Sequence, residues 1–144
     1  MTTLIDRLAG IDLGSPLETV FAARTEARAQ VELCYQLLLH PAEPGPVSLL
    51  ERHAVAAFVA AMHDQAETRD HYRALLQRTD ADEGHTANIV LWEAENTRAA
   101  GPYGHFPKGP LSVEDRDGPA YRVSKERGEE LGVRLAAALE QADC

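Results

Sequence analysis

Apolar residues recur along this chain at intervals of three and four, and nowhere with a sustained period of two. Leu17, Val20, Phe21, Ala27, Val31, Cys34, Tyr35 and Leu38 trace one helical face. Arg24 interrupts that stripe, although its alkyl stem can lie along it. The pattern predicts one long amphipathic helix over about 16–39, opened by Ser15-Pro16-Leu17-Glu18, a capping box with Pro in the first helical position. Pro41, Pro44, Gly45 and Pro46 end it. A second box, Ser48-Leu49-Leu50-Glu51, starts a helix over 49–62, so rich in Ala and large apolar residues that it should be central.

A third box follows, with Asp64 as cap and Glu67 as its partner, and a helix over 65–78 carries His71, Tyr72, Leu75 and Leu76. Another helix is expected over 85–99, with Ile89, Val90, Trp92 and Ala94 as its less polar positions. The glycines and prolines after Gly101 make 100–123 an irregular loop, in which Tyr103 and Phe106 call for burial. Ser124 opens a final helix over 124–142, with Leu131, Leu135, Ala138 and Leu139 on its apolar face. The fold class is therefore all-α: a compact bundle of five to six helices in one domain spanning 1–144.

Charge narrows the partners. Against 23 acidic residues stand 14 basic ones, scattered and interleaved with acids, for a formal net charge of −9. Nucleic acid and anionic membrane surfaces are not the expected partners. No apolar run approaches the roughly 20 residues that span a bilayer, and no secretion signal precedes the first helix. Cys34 and Cys144 form no disulfide framework, which fits a cytoplasmic setting. Cys34, mid-helix among Val31, Tyr35 and Leu38, is expected to be a buried inert thiol, and Cys144 an exposed one. The apolar 49–62 helix in so small a chain points to a homo-oligomer.

The run from His63 to His71 holds the most specific chemistry. Asp64, Glu67 and His71 are spaced as Cys-x-x-Cys-x-x-x-His, with carboxylates where the cysteines would stand. Together with the Ala-rich helix before it, this run resembles the alkylhydroperoxidase D-like / carboxymuconolactone decarboxylase-like superfamily, over about residues 16–100. The resemblance implies an all-helical core, association through helix faces and a proton-relaying Glu. It places Glu51 and His71 near that family's Glu and His, and Asp64 and Glu67 at its redox cysteines. The tail segments Gly101 to Pro107, Gly109 to Ser112 and Gly118 to Val123 look like a part of some peroxidase-related proteins that carry this domain.

A helix N-terminus lowers a thiol's pKa, and the same field stabilises a carboxylate. Asp64 and Glu67 replace the charge of a thiolate but cannot run a thiol–disulfide cycle. Thiol peroxidase activity is therefore not expected. Helix capping is the plainer role for Asp64, Glu67 and Glu51, and pairing with Glu67 or a buried hydrogen bond the plainer role for His71. The sharper alternative uses Glu51, Asp64, Glu67 and His71 as acid–base groups, or His63, Asp64, Glu67 and His71 as ligands to Zn, Mn or Fe. His53 and His63 carry no signal beyond ordinary polar exposure. Trp92 reads as a core or interface anchor, and the Tyr103–Phe106 loop as packing or a pocket lid. No Gly-rich phosphate loop, nucleophile elbow or zinc-finger spacing is present, so no cofactor is implied. Two functions follow: a non-peroxidase binding or interaction domain, alone or beside a cysteine-bearing relative, or a metal- or carboxylate-dependent enzyme in the ancestral pocket.

Overall fold

The computed structural model describes residues 3–63, 65–99 and 103–143, and among them every regular element is helical. Eight α-helices follow in order: α1 (Leu4–Leu8), α2 (Pro16–Ala22), α3 (Thr25–Leu39), α4 (Leu49–Met62), α5 (Ala66–Thr79), α6 (His85–Thr97), α7 (Lys125–Leu131) and α8 (Val133–Ala142). A short 3-10 turn, Pro110–Glu114, lies between α6 and α7. No helix among the described residues is long and apolar enough to cross a membrane.

The 49–62 helix is central, as its composition predicts. Ala54, Ala57, Phe58 and Ala61 of α4 pack with Leu76 of α5, Ala87, Val90 and Ala94 of α6, and Leu135 and Leu139 of α8. Small residues on α4 and α6 let the two backbones approach closely, and Phe58 fills the centre with no exposed surface. A second cluster joins Tyr35 and Leu39 of α3 to Leu75 of α5, with Leu4 and Ile5 of α1 against it.

Two expected helices are each divided in two. The 16–39 helix breaks at Ala23–Arg24, where Arg24 leaves helical geometry (φ −108°, ψ 54°). Packing holds a long helix continuous, and no residue of α2 is buried. The 124–142 helix breaks at Gly132, whose φ of 81° and ψ of 147° suit only glycine. α1 is an added element, held by a capping box in which Thr3 and Asp6 bond each other's backbone N–H. Asp6 also binds Arg28, tying α1 to α3.

The face that α3 turns inward corrects one expectation. Arg28, Tyr35 and Leu39 point to the body, and Cys34, about 100° round the helix from Tyr35, is exposed instead of buried. Tyr103 and Phe106 also remain 46% and 43% exposed, against the burial expected of them. Polar pairing orders their loop. Gly104 and Arg116 exchange backbone hydrogen bonds of 2.8 and 3.0 Å, Phe106 N donates to Asp115 Oδ1, and His105 bonds Asp117 Oδ1 at 2.6 Å. Gly118 packs closely on Tyr103, where an added Cβ would lie 3.1 Å from the tyrosine Cβ and Tyr103 would have to shift by a few tenths of an ångström.

Candidate functional site

Glu51 sits at the third position of α4 because Ser48 caps that helix. Ser48 N donates to Glu51 Oε2 at 2.8 Å and Glu51 N donates to Ser48 Oγ at 3.2 Å, which completes the expected capping box. The same carboxylate receives Arg134 of α8, with Nε on Oε1 at 2.6 Å and Nη2 on Oε2 at 2.8 Å. The Arg134 guanidinium foremost, with the Ser48 N–H, holds the Glu51 carboxyl down at about 2. It stays ionised far into acid, and its geometry is that of a clamp between α4 and α8.

Beside the clamp runs an open groove of about 770 Å³ between α3, α4, α5 and α8. Its wall is apolar, from Leu38, Val47, Val55, Val59, Leu135 and Ala138 among others. Polar groups stand at its margins: Glu51, Arg52 and Arg134, then His63, Gln65 and Thr68. Arg52 spends its donors inside the chain, on the carbonyls of Val47, Leu38 and Pro44, each at 3.0 Å. That staple fixes the Pro-rich connection between α3 and α4 and satisfies one of the carbonyls left open at the end of α3.

Glu67 lies elsewhere. It lines a separate cavity of about 900 Å³ with Thr3, Leu4, Arg7 and Ile11, and Gln65 belongs to both walls. α5 begins at Ala66, so Gln65 and not Asp64 takes the cap position, without a side-chain cap bond, and Glu67 is the second helical residue. Asp64 lies outside the described residues. Glu67 is a first-turn acid of α5, where it favours the helix N-terminus. His63 is exposed at the extended end of α4.

His71 faces a third place. Its Nε2 lies 2.8 Å from the Tyr35 hydroxyl and its ring stands edge-on to Tyr72, with no bond to Glu67. The Tyr35 hydroxyl is also 3.3 Å from His40 Nε2, and the His40 ring is 5.7 Å from that of His53. His53 is buried, contrary to the exposure expected of it. Its Nε2 donates to the Leu39 carbonyl at 2.8 Å, and its Nδ1 is 2.7 Å from Thr79 Oγ1. Burial lowers the pKa of both His53 and His71, and burial likewise raises that of Tyr35. Glu51, Glu67 and His71 thus stand in three different surroundings. Among the described residues no group of three His, Cys, Asp or Glu is placed to hold a metal ion.

One buried carboxylate carries no local signal in the sequence. Glu93 of α6 is 5% exposed and accepts the Tyr121 hydroxyl at 2.8 Å, with Arg127 Nε 3.4 Å from its other oxygen. Arg127 also covers the half-exposed ring of Trp92, 3.9 Å from its centroid, and Tyr121 stacks on Phe58. Burial first, then the Glu93 carboxylate, pushes the Tyr121 phenol well above its ordinary value. The group pins the segment before α7 onto α6. No protein-family model matches the chain, and neither curated proteins nor solved structures yield a match.

Proposed function

We propose that this chain is a divergent alkylhydroperoxidase D-like / carboxymuconolactone decarboxylase-like domain that binds a small, largely apolar molecule without thiol peroxidase chemistry. The observation that carries the reading is the groove along α4. Its volume lies in the roughly 300–1,000 Å³ range of ligand sites. Its wall is apolar, and its charges are matched within the chain by the Glu51–Arg134 pair and the Arg52 staple. An occupant therefore needs an apolar body and no strong charge. The family reading rests on the Asp64-x-x-Glu67-x-x-x-His71 spacing after a central Ala-rich helix. Self-association, and action beside a cysteine-bearing relative, belong to the same reading, as does a cytoplasmic setting.

An enzyme built on Glu51, Asp64, Glu67 and His71 has less in its favour, because Glu51 and Glu67 line different cavities and His71 is engaged with Tyr35. A neutral fluorescent naphthylamine dye, displaced by medium-chain fatty alcohols, tests the groove. Saturable binding that is lost in Ala138→Trp and in Val55→Trp, with cooperative unfolding kept, is expected. No saturable binding, or binding that ignores both substitutions, would sink the proposal. Dithiol-dependent hydroperoxide reduction that survives Cys34→Ser with Cys144→Ser would overturn the chemical exclusion. Stoichiometric metal lost on His71→Ala would favour the enzyme instead.

A further inference from the structure

The apolar stripe on α2 and α3 is the clearest mismatch between pattern and packing. Leu17, Val20 and Phe21 share one face of α2 and are 55%, 53% and 38% exposed. On α3, Val31 and Leu38 are 48% and 61% exposed, with Cys34 exposed between them. The central helix α4, whose apolarity first suggested an oligomer, is by contrast covered by α5, α6 and α8. The unmet demand for burial lies on the periphery.

We propose that this stripe seats a second copy of the chain, so that α3 pairs antiparallel with α3 of its partner. The inference rests on the self-association named above and assigns it a surface. Helix stability gives one reason. α2 has seven residues and buries none of them, and isolated helices of that length do not hold in water. A partner face supplies the missing packing.

Area gives another. A standard interface takes roughly 800 Å² from each partner, about 60% of it apolar. Large side chains at half exposure along α2 and α3 offer on the order of 500 Å², which matches that apolar share. Charge fits self-pairing as well. Arg24 is the charge that interrupts the stripe, and an antiparallel arrangement keeps the two copies of it at opposite ends. The middle of the α3 stripe, at Cys34 between Val31 and Leu38, then falls near the two-fold axis. Each Cys34 thiol faces its counterpart there, at a spacing a disulfide can bridge if the Cα atoms come within about 7 Å.

Sedimentation velocity on the full chain tests this across concentrations up to about 100 µM. A dimer is expected, with Val31→Glu and Val20→Glu each giving a monomer that keeps its helical circular dichroism and cooperative unfolding. Ala29→Glu, on the opposite side of α3, should leave the dimer intact. A larger assembly that both stripe variants dissolve supports the surface equally. In a Cys144→Ser background, mild oxidation should link two chains through Cys34, and failure to link them would overturn the antiparallel register. A wild-type monomer throughout the range, or an assembly indifferent to Val31→Glu and Val20→Glu, overturns the proposal. Dye binding in the groove, measured on the Val31→Glu monomer, reports on the groove alone, so the two readings fail separately.

Discussion

Tyr35 of α3 and His71 of α5 are joined through the phenol oxygen and the imidazole Nε2, 2.8 Å apart. The same oxygen lies within reach of His40. The hydroxyl has one proton, so it gives to one imidazole and accepts from the other. With His53 beyond them, these residues form a polar seam where α3 meets α4 and α5. Its groups are matched to each other and to helix ends, which describes a joint between helices better than an acid–base site.

The seam sets the expected response to mild acid. Burial first, then the positive charges of Arg78 and His40, and for His71 also Arg7, hold both imidazoles below their ordinary value of 6.5. The unfolded chain therefore binds more protons than the folded one as pH falls below that value. Stability should be full above about 6.5 and decline below it. Denaturant midpoints compared at about pH 7.5 and about pH 5.5 should show a drop, and His53→Gln with His71→Gln should flatten it. A slope unchanged in the double variant would count against this account.

Glu51 governs a lower window. Its carboxyl is held at about 2 against an ordinary 4.5, with Arg134 as the main cause. Its contribution is complete above about 4.5 and fades as pH falls toward 2. Glu51→Gln should remove that part of the acid transition. Ser48→Ala, which breaks the cap beneath it, should cost on the order of 1 kcal/mol at neutral pH. Chemical denaturation across both ranges measures each effect.

Tyr121→Phe should destabilise the chain by about 1–3 kcal/mol, because it leaves one oxygen of a buried carboxylate without its donor. Adding Glu93→Gln should recover part of that loss by removing the buried charge. Thermal unfolding of the two single variants and the double variant gives the coupling. Strict additivity would mean that Tyr121 acts by packing alone.

Gly132→Ala tests the break between α7 and α8. No atom lies within 4 Å of where its Cβ would stand, so any cost comes from the backbone, at a φ of +81°. A loss of about 1–3 kcal/mol is expected, with the groove still binding dye. A neutral or stabilising result would mean that α7 and α8 join into the continuous helix the pattern suggested.

Local chemistry was legible along the chain. Ser48 and Glu51 are three residues apart, and their capping box forms as written. Ser15 and Ser124 likewise cap α2 and α7 by accepting nearby backbone N–H groups. The Ala-rich run of α4 declared itself central because a helix apolar on nearly every face has no stable place at a surface. The start of α5 lies one residue later than the pattern places it, since the helix begins at Ala66 with Gln65 in the cap position.

The sequence by itself determined the helical class, the order of the main helices and the capping of α2, α4 and α7, because these depend on residues within one turn of each other. Tertiary structure alone decided what those residues meet. Glu51 finds Arg134 83 positions away, Tyr35 finds His71 36 away and Glu93 finds Tyr121 28 away. It also sent Glu51, Glu67 and His71 to three separate surroundings, since side chains on consecutive helices converge only if the helices turn the required faces inward. Periodicity marks an apolar face but not what covers it, and the stripe on α2 and α3 shows the difference: its pattern calls for burial, and the described residues leave it open.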